Sequence, residues 1–368
     1  MDLDGLRATW NELGSRDALW AVLTGPREGR REWDREAFFA TGVDEIRAVH
    51  ARLADLGVAA GRERALDFGC GAGRLTQALA GVYAEVHGVD IARSMLDAAA
   101  QYDTTGRCQF HLNERGDLAL FPDAHFDFVY TNIVLQHMEP RFSRAYIAEF
   151  FRVLRPGGVA VFQIPAAPVP RVPARTRMDG ALPLSDRRAE IGAPAAAVRC
   201  APGARLVLPV RVTNRGTRHW AVDGQDNGQF AIHLANHWRS RWGFTVRWDD
   251  ARAVLHADLP PGETAEVVLA CDAPAKPGRY RLELDMVQEG VAWFAAGGST
   301  VARMAVVVDA ALPSGAVEGL PRRMEMHGVA RTEVEALVEA SGGAVVAADA
   351  DDAPGPDWTS FRYITVKR

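Results

Sequence analysis

The sequence predicts an α/β protein: a mostly parallel sheet flanked by helices, preceded by a helical cap and interrupted by an all-β sandwich. Three observations carry this. Between residues 64 and 165 short apolar runs alternate with amphipathic helical stretches. Between about 190 and 310 the hydrophobic period becomes two, with turn signals at short intervals. After Leu320 come one helical stretch and two strand-like runs, too little to fold alone, so they must complete the sheet left unfinished at Pro165.

The cap occupies residues 1–60, where Leu6, Trp10 and Leu13, then Ile46, Val49, Leu53 and Leu56, recur at helical spacing. Between its helices lies "WDREAFFATGVDEI"; Thr41 or Asp44 is expected to cap the second helix, with Gly42 marking the turn before it. Residues 61–165 form the first part of the α/β domain. There "RALDFG", "EVHGVD", "CQFHLN", "FDFVYTNIV" and "GVAVFQIP" read as strands, with helices around 73–81, 93–100 and 142–153. A Pro-rich stretch, 166–188, reads as an exit linker. The sandwich spans 189–310, with Pro-Gly turns at 202–203, 261–262 and 277–278, and its size is near that of an immunoglobulin-like domain. Residues 319–368 supply the last helix, "RTEVEALVEASGG", and two closing strands.

Composition narrows the function. The 368 residues carry a net charge of -5 without a long basic or acidic run, which argues against nucleic-acid partners. No signal peptide or membrane span is legible, and four cysteines without metal or disulfide spacing fit a reducing, cytoplasmic setting. No metal site is expected. Nearly every basic residue is Arg, which points to a GC-rich bacterial genome.

The chemistry sits in "ALDFGCGAGRL", residues 65–75, a strand followed by Gly69, Gly71 and Gly73 and then a helix. Glycines here let the backbone turn tightly and approach a ligand, and the helix N-terminus favours an anionic group, although a tight turn alone produces the same spacing. The next strand ends in Asp90, where a carboxylate of a doubly wound fold accepts hydrogen bonds from both ribose hydroxyls. A nicotinamide dinucleotide is the rival ligand. Its fingerprint would want Gly where this chain has Arg74.

With these motifs in place, the chain resembles the class I S-adenosylmethionine-dependent methyltransferases. "DFGCGAGR", "GVDIARSML", "FDFVYTNIVLQH" and "RVLRPGGVAVF" stand in that family's order and spacing, over about 61–165 and 320–368. The N-terminal "DALWAVLT" and "FFATGVDEI" look like the leader of a bacterial subgroup. The resemblance implies a Rossmann-like sheet and S-adenosyl-L-methionine as cofactor. Asp67 and the backbone of Gly69, Cys70, Gly71 and Gly73 would hold its methionine part, with Arg74 near the carboxylate. Asp90 would bind the ribose, Ile91 and Met95 would pack on the adenine, and Asp117 and Leu118 match the adenine-binding position. Asn132 and Ile133 would face the methionine end. For Ile91, Met95 and Leu118 ordinary core packing is an equal alternative.

A sulfonium already makes its methyl group electrophilic, so alignment and exclusion of water are the main tasks. A hydroxyl acceptor adds use for a base, and His137 in "VLQHMEP" and His327 in "MEMHGV" are the candidates, with Glu139 behind them. The Asn/Asp-Pro-Pro-aromatic signature of many N-methyltransferases is replaced by "TNIV", which favours O-methylation.

The sandwich resembles immunoglobulin-like modules of bacterial proteins that build or modify cell-surface glycans. It is rich in Trp and His: Trp220, His233, His237, Trp238, Trp242, Trp248 and Trp293. It could contact carbohydrate, pack against a domain or a second subunit in a homo-oligomer, or do neither. Three readings stay open: an O-methyltransferase for a hydroxyl of a sugar, glycan or glycosylated small molecule; one for a natural-product or lipid hydroxyl, with the sandwich used for assembly; and a non-catalytic glycan-binding scaffold.

Overall fold

Aspartate caps start both N-terminal helices. In α1 (Leu3–Val22) Asp2 accepts the Gly5 N–H at 2.8 Å, and in α2 (Arg35–Asp55) Asp34 accepts the Ala37 N–H at 2.9 Å. The computed structural model describes residues 2–23, 33–170, 174–318, 320 and 325–368. Thr24, the end of the leader-like "DALWAVLT", lies outside them.

The second helix corrects the expectation for this region. It runs unbroken through Thr41, Gly42 and Asp44, because Asp34 caps it well before them. Gly42 makes no turn. It lets α2 approach α3 (Arg74–Ala80) closely, since a Cβ at Gly42 would lie 2.5 Å from the Arg74 carbonyl oxygen. α1 is bent at Asp17, whose backbone is non-helical and whose carboxylate accepts the Trp20 N–H at 3.0 Å, restarting the helix.

Between and after these helices run β1 (Arg64–Phe68), β2 (Glu85–Asp90), α4 (Arg93–Tyr102), β3 (Cys108–Leu112), β4 (Phe126–Thr131), α5 (Pro140–Val153) and β5 (Leu154–Pro168). The chain then leaves for β6 (Ala189–Gly192), β7 (Ala197–Cys200), β8 (Arg205–Asn214), β9 (Ile232–Ser240), β10 (Thr245–Arg247), β11 (Arg252–Val254), β12 (Thr264–Asp272), β13 (Gly278–Gln288), β14 (Ala292–Trp293), β15 (Ala302–Val308) and β16 (Val317–Glu318). It returns for α6 (Arg331–Ala340), β17 (Gly343–Ala350) and β18 (Trp358–Lys367).

Two compact units result: Met1–Pro170 with Met324–Arg368, and Arg171–Arg323. In the first, seven strands lie in the order β17-β18-β5-β4-β1-β2-β3, parallel from β5 to β3 and antiparallel at β18 and β17. Both faces are covered, as the unbroken apolar runs require. Leu66, Phe68, Val129 and Phe162 pack with Phe150 of α5 and Val334 and Val338 of α6. Ala65, Val86, Phe128 and Val161 pack with Ile46, Val49 and Leu53 of α2 and Leu79 of α3. The carboxyl ends of β1, β2 and β4 therefore lie beside each other, which is where open α/β sheets bind ligands.

In the second unit an eight-stranded sheet follows the path β10-β9-β13-β15-β7-β16, with β11 beside β9 and β14 beside β13, and a three-stranded sheet follows β12-β8-β6. The two share one core: Leu206, Leu208, Val210 and Leu269 of the small sheet pack with Leu234, Trp238, Leu282, Leu284 and Met304 of the large one. Among the described residues all four cysteines are free thiols.

The expected linker is also corrected. β5 reaches Pro168, residues 171–173 lie outside the described set, and the rest of 166–188 is bound rather than free. Thr176 Oγ1 donates to Asp258 at 2.6 Å, Met178 N–H to the Asp223 carbonyl at 2.7 Å, and Thr217 Oγ1 to Asp186 at 2.7 Å. Polar side chains fix this stretch, so it shows no hydrophobic period. Beyond 310, β16 pairs with β7 and extends the second unit past the expected boundary; residues 319 and 321–324 lie outside the described set.

Candidate cofactor and transfer site

The glycine loop is built from three left-handed residues, Gly69 (φ 73°), Gly71 (φ 52°) and Gly73 (φ 81°), a conformation other residues adopt at a cost. Its N–H groups close on β2: Gly69 and Cys70 donate to the Val89 carbonyl at 2.7 and 3.0 Å, and Gly71 donates to Asp90 Oδ2 at 2.9 Å. Asp90 Oδ1 accepts the Ala92 N–H at 2.8 Å. One carboxylate thus ties the loop after β1 to the loop after β2. Burial raises the Asp90 pKa, and the Ala92, Gly71 and Ile91 N–H groups work against it. Cys70 is buried and its thiol is pushed well up by burial, which makes it a packing residue and not a nucleophile.

Asp67 turns toward α3. Its carboxylate is buried, accepts the Thr76 hydroxyl at 2.7 Å, and has its pKa raised to about 7 by burial. Arg74 is 4% exposed and reaches α2, not the open side of the loop: its Nη2 donates to Glu45 Oε2 at 2.7 Å and its Nη1 to Thr41 at 3.3 Å. Glu45 also accepts the Tyr130 hydroxyl at 2.6 Å and Asn132 Nδ2 at 2.8 Å. Three groups, one from α3, one from β4 and one from just past its end, converge on one carboxylate.

Beyond β4, Ile133 holds φ at 59°, a strained value for a β-branched residue. Its N–H donates to Gln163 Oε1 at 3.1 Å, and Gln163 in turn donates to Gln136 at 3.2 Å and Ser360 at 2.8 Å. This buried amide chain fixes the turn that carries His137. His137 Nδ1 lies 3.3 Å from the Glu325 carbonyl, which only accepts, so Nδ1 bears the proton and Nε2 is the free base, facing Gln136 Nε2 at 3.3 Å. Burial lowers the His137 pKa to about 4, with the Glu325 carbonyl opposing and His327 adding to the shift. His327 is held from the same turn, its N–H donating to the Gln136 carbonyl at 2.8 Å and its Nε2 lying 3.2 Å from Glu325. Trp10 of α1 meets the His137 ring edge-on at 5.7 Å.

The other expected residues separate. Leu118 and Met95 are buried in apolar clusters. Asp117 is bound by Arg115 at 3.0 and 3.2 Å, which lowers its pKa. Ile91 is half-buried beside Asp90. Glu139 pairs with Arg141 at 2.9 Å. Glu45, Gln163, Gln136 and Ser360 are the residues that sequence reasoning missed. Glu45 stands one place before the apolar stripe of α2 with nothing local to distinguish it from Asp44.

The residues fit a methionine-bearing nucleoside cofactor. Asn132 Oδ1 is buried at the end of β4 without a hydrogen-bond partner, an acceptor of the kind an ammonium group would use. Among the described residues no group of three or more His, Cys, Asp or Glu is placed to hold a metal, and no helix is long and apolar enough to cross a membrane.

Residues 65–158 match the family model of a methyltransferase domain. With the sheet order and the glycine loop, this makes residues 65–158 an S-adenosylmethionine-dependent methyltransferase domain, with S-adenosylmethionine as its cofactor. The chain is 31% identical over 134 residues to a ubiquinone biosynthesis O-methyltransferase of Thiobacillus denitrificans, covering 36% of this chain and 56% of that one. It is 39% identical over 100 residues to the O-methyltransferase cnsE of Penicillium expansum, covering 26% and 35%. A third relative, a malonyl-[acyl-carrier protein] O-methyltransferase of Serratia marcescens, is 35% identical over 123 residues, covering 33% and 46%. The chain therefore spans about half or less of the length of these curated relatives.

Proposed function

We propose that the protein is an O-methyltransferase that methylates a hydroxyl of a sugar, glycan or glycosylated small molecule. The observation that carries the hydroxyl is His137: a neutral imidazole in the turn past the carboxyl end of β4, whose unprotonated Nε2 is held only by Gln136 Nε2 at 3.3 Å. S-adenosylmethionine supplies, when bound, a methyl group on a positively charged sulfur. With the acceptor hydroxyl in the place of Gln136 Nε2, His137 Nε2 would take the hydroxyl proton during the transfer. Gln136, Gln163 and Ser360 hold the imidazole in place, and Asp90 and the glycine loop hold the ribose and methionine ends. O-methyltransferase relatives support the reaction class.

The saccharide rests on the second unit, which we read as an immunoglobulin-like sandwich. Tyr280, near the start of β13, donates its hydroxyl to the Lys276 carbonyl at 2.9 Å, the corner contact of that fold. A second reading, a quinone-like or other natural-product hydroxyl, draws on the relatives named for ubiquinone biosynthesis. The free thiols fit a reducing compartment.

Calorimetric titration with S-adenosylmethionine and S-adenosylhomocysteine tests the base of this reading. Micromolar binding of both is expected, with Asp90→Ala raising the dissociation constant tenfold or more. Unchanged affinity in that variant removes the ribose assignment. Transfer of labelled methyl to a panel of sugars and phenols then separates the two acceptors.

A further inference from the structure

The two most exposed large apolar side chains of the described residues lie side by side in one turn. Trp242 is 72% exposed and Phe244 is 74% exposed, flanking Gly243 in the hairpin that joins β9 to β10. The turn is well formed: Ser240 N–H donates to the Phe244 carbonyl at 2.8 Å and Gly243 N–H to the Ser240 carbonyl at 2.9 Å. Gly243 has φ 88° and open space where a Cβ would stand. Val246 and Trp248, each 45% exposed, continue the apolar side of the hairpin.

Charge at this tip differs from that of the chain. From Arg239 to Trp248 there are three arginines and no acid, against a net charge of -5 overall. Arg279 and Arg281 of neighbouring β13 add two more: the Arg241 N–H donates to the Arg279 carbonyl at 3.1 Å, and Arg281 stands opposite Arg239 in the ladder. Arg239 pairs with Glu283 and Arg247 with Asp250. Arg241, Arg279 and Arg281 are exposed and have no carboxylate partner among the described residues.

We propose that this hairpin docks on an anionic lipid bilayer surface, Trp242 and Phe244 entering the interface while Arg241, Arg279 and Arg281 meet lipid phosphates and carboxylates. Exposed aromatic rings flanked by cations without carboxylate partners match the two forces that hold a peripheral protein to such a surface. Saccharide stacking is the competing use of exposed tryptophans, and it needs a bare ring face. Here one face of each tryptophan carries a cation: the Arg241 guanidinium lies 4.2 Å from the Trp242 ring centre and the Arg239 guanidinium 4.8 Å from that of Trp248. Trp248 also stacks on His237 at 3.9 Å. The proposal is independent of the acceptor chosen for the methyltransferase.

The test is co-sedimentation of the full chain with vesicles of phosphatidylcholine, with and without about a third phosphatidylserine. Binding is expected only with the anionic lipid, falling steeply between 0.1 and 0.5 M NaCl as charge is screened. Arg241→Gln should weaken it about fivefold, and Arg241→Gln with Arg279→Gln and Arg281→Gln about a hundredfold. Trp242→Ser with Phe244→Ser should weaken it tenfold or more, while far-UV dichroism and melting stay as in the parent because these side chains cover no core. No binding to anionic vesicles, or binding unaffected by the tip substitutions, overturns the proposal. So does retardation by neutral or uronic-acid polysaccharide gels that depends on Trp242 in the absence of vesicle binding, which would make the tip a saccharide site.

Discussion

The Arg74 guanidinium and the Glu45 carboxylate form an ion pair of 2.7 Å, with side-chain exposures of 5% and 17%, that fastens the N-terminal helix α2 to the turn leaving the glycine loop. The same carboxylate receives Tyr130 and Asn132 from β4 and its end. Glu45→Ala would leave a buried guanidinium and two donors without their acceptor. We expect a stability loss of about 3–5 kcal/mol in urea denaturation. A loss below about 1 kcal/mol would mean that water already serves these donors.

Gly42→Ala sets two effects against each other. Helix propensity gains about 1 kcal/mol, whereas overpacking costs about 1–3 kcal/mol. The added Cβ meets a backbone oxygen at 2.5 Å, which cannot swing aside, so overpacking wins and the melting temperature falls. A rise on substitution would show that the helices separate freely at this crossing.

For His137, whose pKa lies near 4, the base is already neutral throughout pH 5–8. Turnover should show no inflection from it in that range. His137→Ala should lower kcat by about 10²–10⁴-fold with the S-adenosylmethionine affinity within twofold, and His137→Gln, which keeps polarity but no basicity, should not restore it. Normal turnover in either variant eliminates the base assignment.

Stability should respond to pH in opposite senses at two buried groups. His87 has its pKa lowered from 6.5 to about 4, by burial first and then by His111, with Glu85 opposing. Its neighbours are His111 at 2.9 Å, Glu85 at 3.1 Å and the His125 ring at 5.7 Å. The unfolded chain takes up this proton before the native one does, so stability is full above pH 6.5 and drains as pH falls toward 4. Asp67 is raised from 3.8 to about 7, so its contribution is full below pH 3.8 and is lost as pH rises through 7. His87→Phe should flatten the acid side of the profile, and Asp67→Asn the neutral side. Profiles unchanged in both variants would place the titrating groups elsewhere.

Much of the first unit was legible because its signals are local. Strand runs such as "FDFVYT" are apolar throughout since both faces of β4 are covered, and the three glycines announce backbone that must turn left-handed. What escaped was set by distant contacts. Gly42 reads as a turn until α3 is seen to press on it, and Glu45 looks like any solvated helix acid until Arg74, Tyr130 and Asn132 meet it. The 174–186 stretch has no period because Asp258, Asp223 and Thr217 hold it through polar bonds. Leu118 could serve core or adenine on sequence grounds, and in the fold it is buried in the apolar cluster of Phe121 and Tyr146.

The place where the chain departs for its second unit and the place where it returns are stitched together. Val329 N–H donates to the Pro165 carbonyl at 2.9 Å, and a Cβ on Gly328 would touch the Ala166 carbonyl oxygen at 3.0 Å. Topologically the insert is a parenthesis that opens and shuts at one point of the sheet. Gln163 and Ser360, partners 197 residues apart along the chain, need bridge only a small gap once the insert has folded on itself. The sandwich therefore shortens the search by which β18 finds β5, and it leaves a seam at which one module could be exchanged for another without disturbing the register of the strands on either side.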